Sequence, residues 1–411
     1  MRLNIQAMTT PNLPIPAPLR GSDPNSFAHY TVSVRLPNIV EHVLQENNLA
    51  QPIVRQLRRL IEEISAGRIR YLNDAEAPDA GRWVDYLKPF VGSDWFQIPW
   101  FLAETYFYRR ILEATGYFKS GPGYHLDPFI PQKQRGFDTA HEATAHLSRQ
   151  LNSWLTQPAQ NSELFSRLLM IALWGNQADL SLWPAGDHAQ PQYNQLQTSL
   201  NNLLINDTEA IVAYLAGYAG KPARFDFIID NAGYELICDL ALTDFCLSSG
   251  LVASVVYHLK YHPTFVSDAL IQDVRQTISF LAGDSQPDIA NFGRRLQAHG
   301  EAHRLRLQDH LFWTSPLSFW HMPDEIRQEL AQATLLINKG DANYRRLLGD
   351  CHWPYTTPLA DIVSYLPAPL VALRTLKSEV AAGFTPEQIP LLQKQDPHWL
   401  TNGKRGVIQF V

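Results

Sequence analysis

The sequence predicts an α/β protein: a helical N-terminal domain at residues 1–218, then a mainly parallel, three-layer α/β domain at 219–411. Two patterns carry that reading. Up to about residue 218 apolar residues recur at helical spacing. Beyond it, short β-prone runs alternate with helical stretches, the order that crossover connections impose on a parallel sheet. Composition agrees, since 45% of the 411 residues are hydrophobic and 18% charged, which is enough apolar material for packed cores and too little charge for disorder.

The elements follow in order. Ile39, Val43 and Leu44, then Ile53, Leu57, Leu60, Ile61 and Ile64, fit amphipathic helices, with Gly67 as a stop. Helices are also expected at 100–114, 162–174 and 194–218, separated by turn-forming breaks such as Gly121-Pro122-Gly123 and Pro184-Ala185-Gly186. In the second half, strand-like runs at 224–229, 252–259, 305–313, 333–337 and 370–373 are interleaved with helical patterns at 235–249, 269–281 and 342–348.

Several function classes fall away on composition. With 34 Lys and Arg against 40 Asp and Glu, the net charge of −6 argues against an electrostatic nucleic-acid binder. Three cysteines without a Cys-x-x-Cys pair point to a reducing compartment. No run approaches ~20 uninterrupted apolar residues, so the expectation is a soluble cytoplasmic protein with no membrane partner. Phosphate-loop and dinucleotide glycine fingerprints are missing, and His141 and His146 stand five apart where a zinc helix needs four.

Chemistry-bearing residues gather just after the predicted strands, where α/β sheets bind ligands. The first strand runs into Asp230-Asn231-Ala232-Gly233-Tyr234-Glu235, the second segment closes on Asp268, the third leads into Lys339 and Asp341–Arg345, and the fourth into Arg374-Thr375-Leu376-Lys377. Singly, the acids could cap helices and the lysines could be solvated surface cations. Four successive strand ends bearing such groups argue for one shared site. Two carboxylates ~4 Å apart repel by about 4 kcal/mol at an effective dielectric near 20, a conflict that a divalent cation removes. An all-oxygen set of Asp230, Asn231 and Asp268 suits Mg²⁺ or Mn²⁺. Lys339, Arg345 and Lys377 would then face an anion on that metal, and phosphate is the expected one.

These strings closely resemble the damage-control phosphatase family, and in particular its sugar-phosphate branch, which carries an Arg-Thr-x-Lys motif and is also named for a disputed acidic-residue methyltransferase activity. The resemblance rests on Asp-Asn-Ala-Gly-Tyr-Glu at 230–235, Phe-Val-Ser-Asp at 265–268, Lys-Gly-Asp-Ala-Asn-Tyr-Arg at 339–345 and Arg-Thr-Leu-Lys at 374–377. Upstream it extends to Ser26-Phe27-Ala28-His29-Tyr30-Thr31-Val32, Pro99-Trp100-Phe101-Leu102-Ala103-Glu104 and Leu173-Trp174-Gly175-Asn176, so it covers most of the chain.

It implies Asp230, Asn231 and Asp268 as metal ligands, with Mn²⁺, or Co²⁺, Ni²⁺ or Mg²⁺, as the activating ion. Asp341, Ala342, Asn343, Tyr344, Arg345 and Lys377 would hold a phosphosugar together with Asp230 and Asn231. Glu235 matches the acid that the methyltransferase proposal assigns to S-adenosylmethionine. Ala342 stands where relatives often have a larger apolar residue. Asp230, Asp268 and Lys339 are the candidate catalytic residues, and Asn176 and Asp179 are candidate pocket contacts. The implied activity is metal-dependent hydrolysis of a small phosphorylated metabolite of the fructose-1-phosphate or fructose-6-phosphate type. The rival is S-adenosylmethionine-dependent methylation of a protein glutamate carboxyl.

Overall fold

In a computed structural model, which describes residues 9–157, 161–175 and 201–411, seven strands form one sheet in the order β1-β7-β6-β5-β2-β3-β4. They are β1 Leu203–Asn206, β2 Arg224–Ile228, β3 Ser254–Lys260, β4 Leu305–His310, β5 Leu335–Lys339, β6 Leu370–Thr375 and β7 Gly406–Phe410. From β6 through β5, β2 and β3 to β4 all neighbours are parallel. β7 runs antiparallel to β6 and parallel to β1, and so fills the gap between them.

Strand periodicity divides the apolar residues between two layers. Phe225, Phe227, Ile229, Leu335 and Ile337 point to a core shared with the helices His141–Trp154, Asn161–Trp174, Tyr234–Ser248, Ile271–Gly283 and Pro287–Glu301. Their alternates Ile228, Leu336 and Ala372 join a second core with Val32, Leu57, Trp100 and Tyr106 from the helices Gln51–Ala66 and Trp100–Thr115 and the helical stretch 27–46. Burial on both faces is why the central strands are mostly apolar, and the buried Asp226 of β2 is matched by His258 of β3 (2.8 Å). Each core draws on residues from both sides of position 219, so the N-terminal helices form an outer layer on the sheet.

The helix expected at 194–218 is corrected: among its described residues β1 occupies 203–206, and helix is confined to Asn201 and Thr208–Ala216. Leu203 and Ile205 pair with Gly406 and Val407, a partnership two hundred residues distant that overrides local pattern. The strand expected to reach 313 stops at His310, whose Nδ1 accepts a hydrogen bond from Phe312 N (2.9 Å) and caps a short 3₁₀ turn. Among the described residues no helix is long and apolar enough to cross a membrane.

The chain leaves β2 toward β3 and β4, then returns to lay β5 on the opposite side of β2. A crevice therefore opens beyond the carboxyl ends of β2 and β5, the switch point where α/β sheets bind ligands.

Candidate active site

Two glycine turns shape that crevice. Past β2 the chain runs through Asp230, Asn231 and Ala232 to Gly233 (φ 73°), and past β5 it turns at Gly340 (φ 81°). Each glycine precedes a helix in a backbone conformation that side chains resist. Gly340 has a second constraint, because a Cβ there would lie 1.8 Å from Asp230 Oδ2. Gly340→Ala is therefore expected to displace the Asp230 carboxylate and to cost at least ~1–2 kcal/mol from the left-handed backbone alone. A urea midpoint equal to wild type would refute this.

The loop after β3 supplies the third wall. Ala269 N donates to Asp230 O (2.8 Å) and Ala232 N to Ser267 O (2.7 Å), which fixes Asn231 and Asp268 side by side. Phe265 (φ 45°) and Val266 (φ 66°) are both left-handed, a strained pair for residues with side chains. Phe265 is held there by stacking on Phe101, with ring centroids 5.4 Å apart, and by contact with Tyr108. Neither acid caps a helix, since Gly233 and Leu270 occupy those positions.

A cavity of about 190 Å³ results, lined by carboxylates from Glu104, Asp230, Glu235, Asp268 and Asp341 and by cations from Arg35, Arg345 and Lys377. Most of the acids are matched. Glu104 pairs with Arg345 (2.6 Å), Asp341 with Arg374 (2.8 Å) and Asp268 with Lys260 (3.2 Å). Asp230 has no such cation among the described residues: its Oδ2 accepts from Asn231 Nδ2 (3.0 Å), and its Oδ1 is buried without a hydrogen-bond partner. Burial, then the charges of Asp268 and Glu235, push the Asp230 carboxyl well above the usual range. Burial also raises Asp268, although Lys260 opposes it.

That arrangement suits a divalent cation. Asp230 Oδ1 is a buried acceptor without a hydrogen bond, Asp268 Oδ2 meets Lys260 (3.2 Å), and the wall carries more acids than bases. Among the described residues no three His, Cys, Asp or Glu side chains cluster as a metal site. The protein ligands would thus be two carboxylates and one amide, with water or substrate completing an oxygen shell. Asn231 now turns its amide nitrogen to Asp230 and to Glu235 Oε2 (2.8 Å), and its oxygen to Ser267 Oγ (2.6 Å). Ligation through oxygen requires the amide to rotate by half a turn.

Asp230, Asn231, Glu235, Asp268, Asp341, Ala342, Arg345 and Lys377 all line the cavity. Three expected residues do not. Lys339 shares the strand face of Leu335 and Ile337, and its amine meets Asp239 (2.9 Å), Glu235 (3.6 Å) and the Ala172 carbonyl beneath the site. Burial alone would lower its pKa, but Asp239 and Glu235 hold it protonated. Asn343 donates to the carbonyls of Lys339 (2.9 Å) and Ile229 (3.1 Å), bracing the two strand ends. Tyr344 bonds Gln409 (2.9 Å) below the floor. Asn176 and Asp179 lie outside the described residues.

The sequence reading missed Arg35, Trp100, Glu104, Phe265 and Ser267 in the wall and Lys260 behind it. Lys260 left a signal as the lysine that closes the run Val255-Val256-Tyr257-His258-Leu259, and in the fold it is 3% exposed. Asp341 holds the loop that presents Lys377, through Arg374 Nε (2.8 Å), Lys377 N (3.0 Å) and Ser378 Oγ (3.1 Å). Burial would raise its carboxyl, but Arg374 and Arg345 bring it below the usual range.

A larger cavity, about 750 Å³, lies apart from these residues between the helix Gln51–Ala66 and the loop at 116–123. Its carboxylates Glu63 and Glu113 are matched by Arg110 and Arg70 at 2.6 and 2.8 Å, so it lacks the exposed chemical demand of the crevice.

Comparison with known proteins gives a consistent result. The model of the damage-control phosphatase ARMT1-like domain matches residues 31–392. Damage-control phosphatase ARMT1 of Rattus norvegicus is 33% identical, over 96% of this chain and 98% of its own length. The Homo sapiens protein of the same name is 31% identical over the same shares. Among solved structures, a DUF89 family protein from Pyrococcus horikoshii is similar with a TM-score of 0.48 and 13% identity, covering 92% of this chain and 97% of that one.

Proposed function

Because the chain belongs to the damage-control phosphatase ARMT1-like family, we propose that it is a metal-dependent phosphatase of small sugar phosphates, of the fructose-1-phosphate or fructose-6-phosphate type. The observation that carries this reading is the buried Asp230 carboxylate, with one oxygen unpartnered at the switch point of the sheet. Asp230, Asn231 and Asp268 would hold the cation, which when bound supplies positive charge for the phosphate. Lys377, exposed and in no ion pair among the described residues, reaches the same cavity from the Arg374 loop and contributes a point charge to a phosphate oxygen. Arg345 is committed to Glu104 and Asp350 (2.7 Å), so its part is to fix the wall beside Ala342. The small cavity favours a compact sugar over a protein substrate. Three cysteines, all buried and free, fit a reducing cytoplasmic setting.

The test is phosphate release from a panel of sugar phosphates, with Mn²⁺, Co²⁺, Ni²⁺ or Mg²⁺ and with chelator. Release from fructose phosphates should depend on added metal by at least ~10²-fold, the scale of a lost electrostatic stabiliser. Equal rates in chelator and metal would remove the metal from the proposal, and no release from any ester would sink it. Methyl transfer from S-adenosylmethionine to a protein glutamate, without ester hydrolysis, would establish the rival reading. Trapping a phosphoryl group on Asp230 would separate covalent catalysis from direct attack by water.

A further inference from the structure

We propose that Arg35 is a phosphate-binding residue of this site, a role that rests on the phosphatase reading above. The argument begins with charge. Three cations line the cavity, and Arg345 is neutralised by two carboxylates. Lys377 and Arg35 remain, and neither forms an ion pair among the described residues. Beside a divalent cation, a phosphate carrying close to two negative charges still enters a wall with five carboxylates, and positive charge beyond one lysine stabilises it there.

Local structure explains how Arg35 comes to be there. Helical backbone runs from Phe27 to Glu46, but Thr31–Arg35 form a π-helical turn in which Leu36 N donates to Thr31 O, five residues back. The cause is legible in Pro37, at the start of the following α-helical stretch. It has no amide to donate, and its ring would strike the carbonyl of Ser33 in a regular helix, so the backbone widens there. The wider turn keeps Val32, Leu36, Val40 and Val43 in the core while Arg35 stays exposed to the cavity. Turns of this kind recur at functional sites.

The neighbours of Arg35 favour an anionic ligand. Its guanidinium lies 5.3 Å from the Phe27 ring centroid, a contact that steadies the group without using its hydrogen-bond donors. Buried Glu104, already bonded to Arg345, is not within ion-pair distance of it. A planar fork of free N–H donors beside an aromatic ring, opening into a cavity that also holds Lys377, matches the oxygens of a phosphate.

The experiment measures orthophosphate binding to the Mn²⁺-loaded protein by calorimetry, and its competitive inhibition of ester hydrolysis, in wild type, Arg35→Ala and Arg35→Lys. Phosphate affinity should fall at least ~10-fold in Arg35→Ala and less in Arg35→Lys, with KM for esters rising more than kcat falls. Because Arg35 is exposed, the melting temperature should not move. Phosphate affinity within twofold of wild type in Arg35→Ala overturns the assignment, even where ester hydrolysis remains normal. A wild-type protein that neither hydrolyses esters nor binds phosphate overturns the phosphatase reading itself, and this inference with it.

Discussion

Asp230→Asn is expected to lower phosphate release by ~10³-fold while raising the melting temperature of the metal-free protein, two changes in opposite directions from one atom. The substitution keeps the shape of the side chain and removes its charge. In the crevice that charge faces Asp268 and Glu235, its Oδ1 lacks a hydrogen-bond donor, and burial disfavours it further. Without a cation, Asp230 must therefore carry a disfavoured charge or take up a proton, a cost that the neutral amide does not have. With substrate, the same carboxylate is what the site is built around, since Gly340 leaves room for its Oδ2 and the Asn231–Asp268 pairing sets its neighbours. Thermal unfolding in chelator at neutral pH and rates with Mn²⁺ check the two halves separately. A variant that keeps its activity, or one that is less stable in chelator than wild type, would contradict this account of the site.

The second large effect is on stability alone. Arg109→Ala should cost about 3–5 kcal/mol, the usual penalty for leaving buried charges without their partner. Arg109 is fully buried, and its guanidinium holds Asp74 and Asp79, each at 2.8 Å. It also lies 4.8 Å from the Phe118 ring centroid. Asp79 further accepts from Trp83 Nε1 (2.9 Å). Burial would raise the Asp79 carboxyl, but His262, 3.7 Å away, and the hydrogen-bonded Arg109 overcome it and hold the group far below its usual range. The sign of the pH dependence follows. A carboxyl whose folded pKa is depressed adds stability that is present above its unfolded value, about 4, and lost as pH falls toward the folded one. The gap between wild type and Arg109→Ala in denaturant midpoint should therefore be widest near neutrality and narrow below about pH 4. A gap independent of pH would show that packing, not charge, sets the effect.

Much of this was legible in the sequence because strand ends announce themselves. The turns at Asp230 and Gly340 follow short β-prone runs, Phe225-Asp226-Phe227-Ile228-Ile229 and Leu335-Leu336-Ile337, and the acids stand just beyond. What the sequence withheld was direction. Lys339 shares its strand face with Ile337 and so points into the helical layer, although its position at the strand's end suggests the crevice. Asn343 and Tyr344 lie between the cavity-lining Ala342 and Arg345 but face the sheet, where they brace instead of bind. Arg35 and Glu104 reach the site from helices far away in the chain, a convergence that no local pattern encodes. β1 was hidden for the same reason, since four residues gain their strand identity only from β7.

The position of β7 bears on how the protein folds. Without residues 406–410 in place, β1 loses its partner in the sheet and β6 loses one of its two, which leaves backbone groups unpaired on both. Until β7 pairs, the open edges invite pairing with another chain, so a folding intermediate that lacks β7 carries an aggregation hazard.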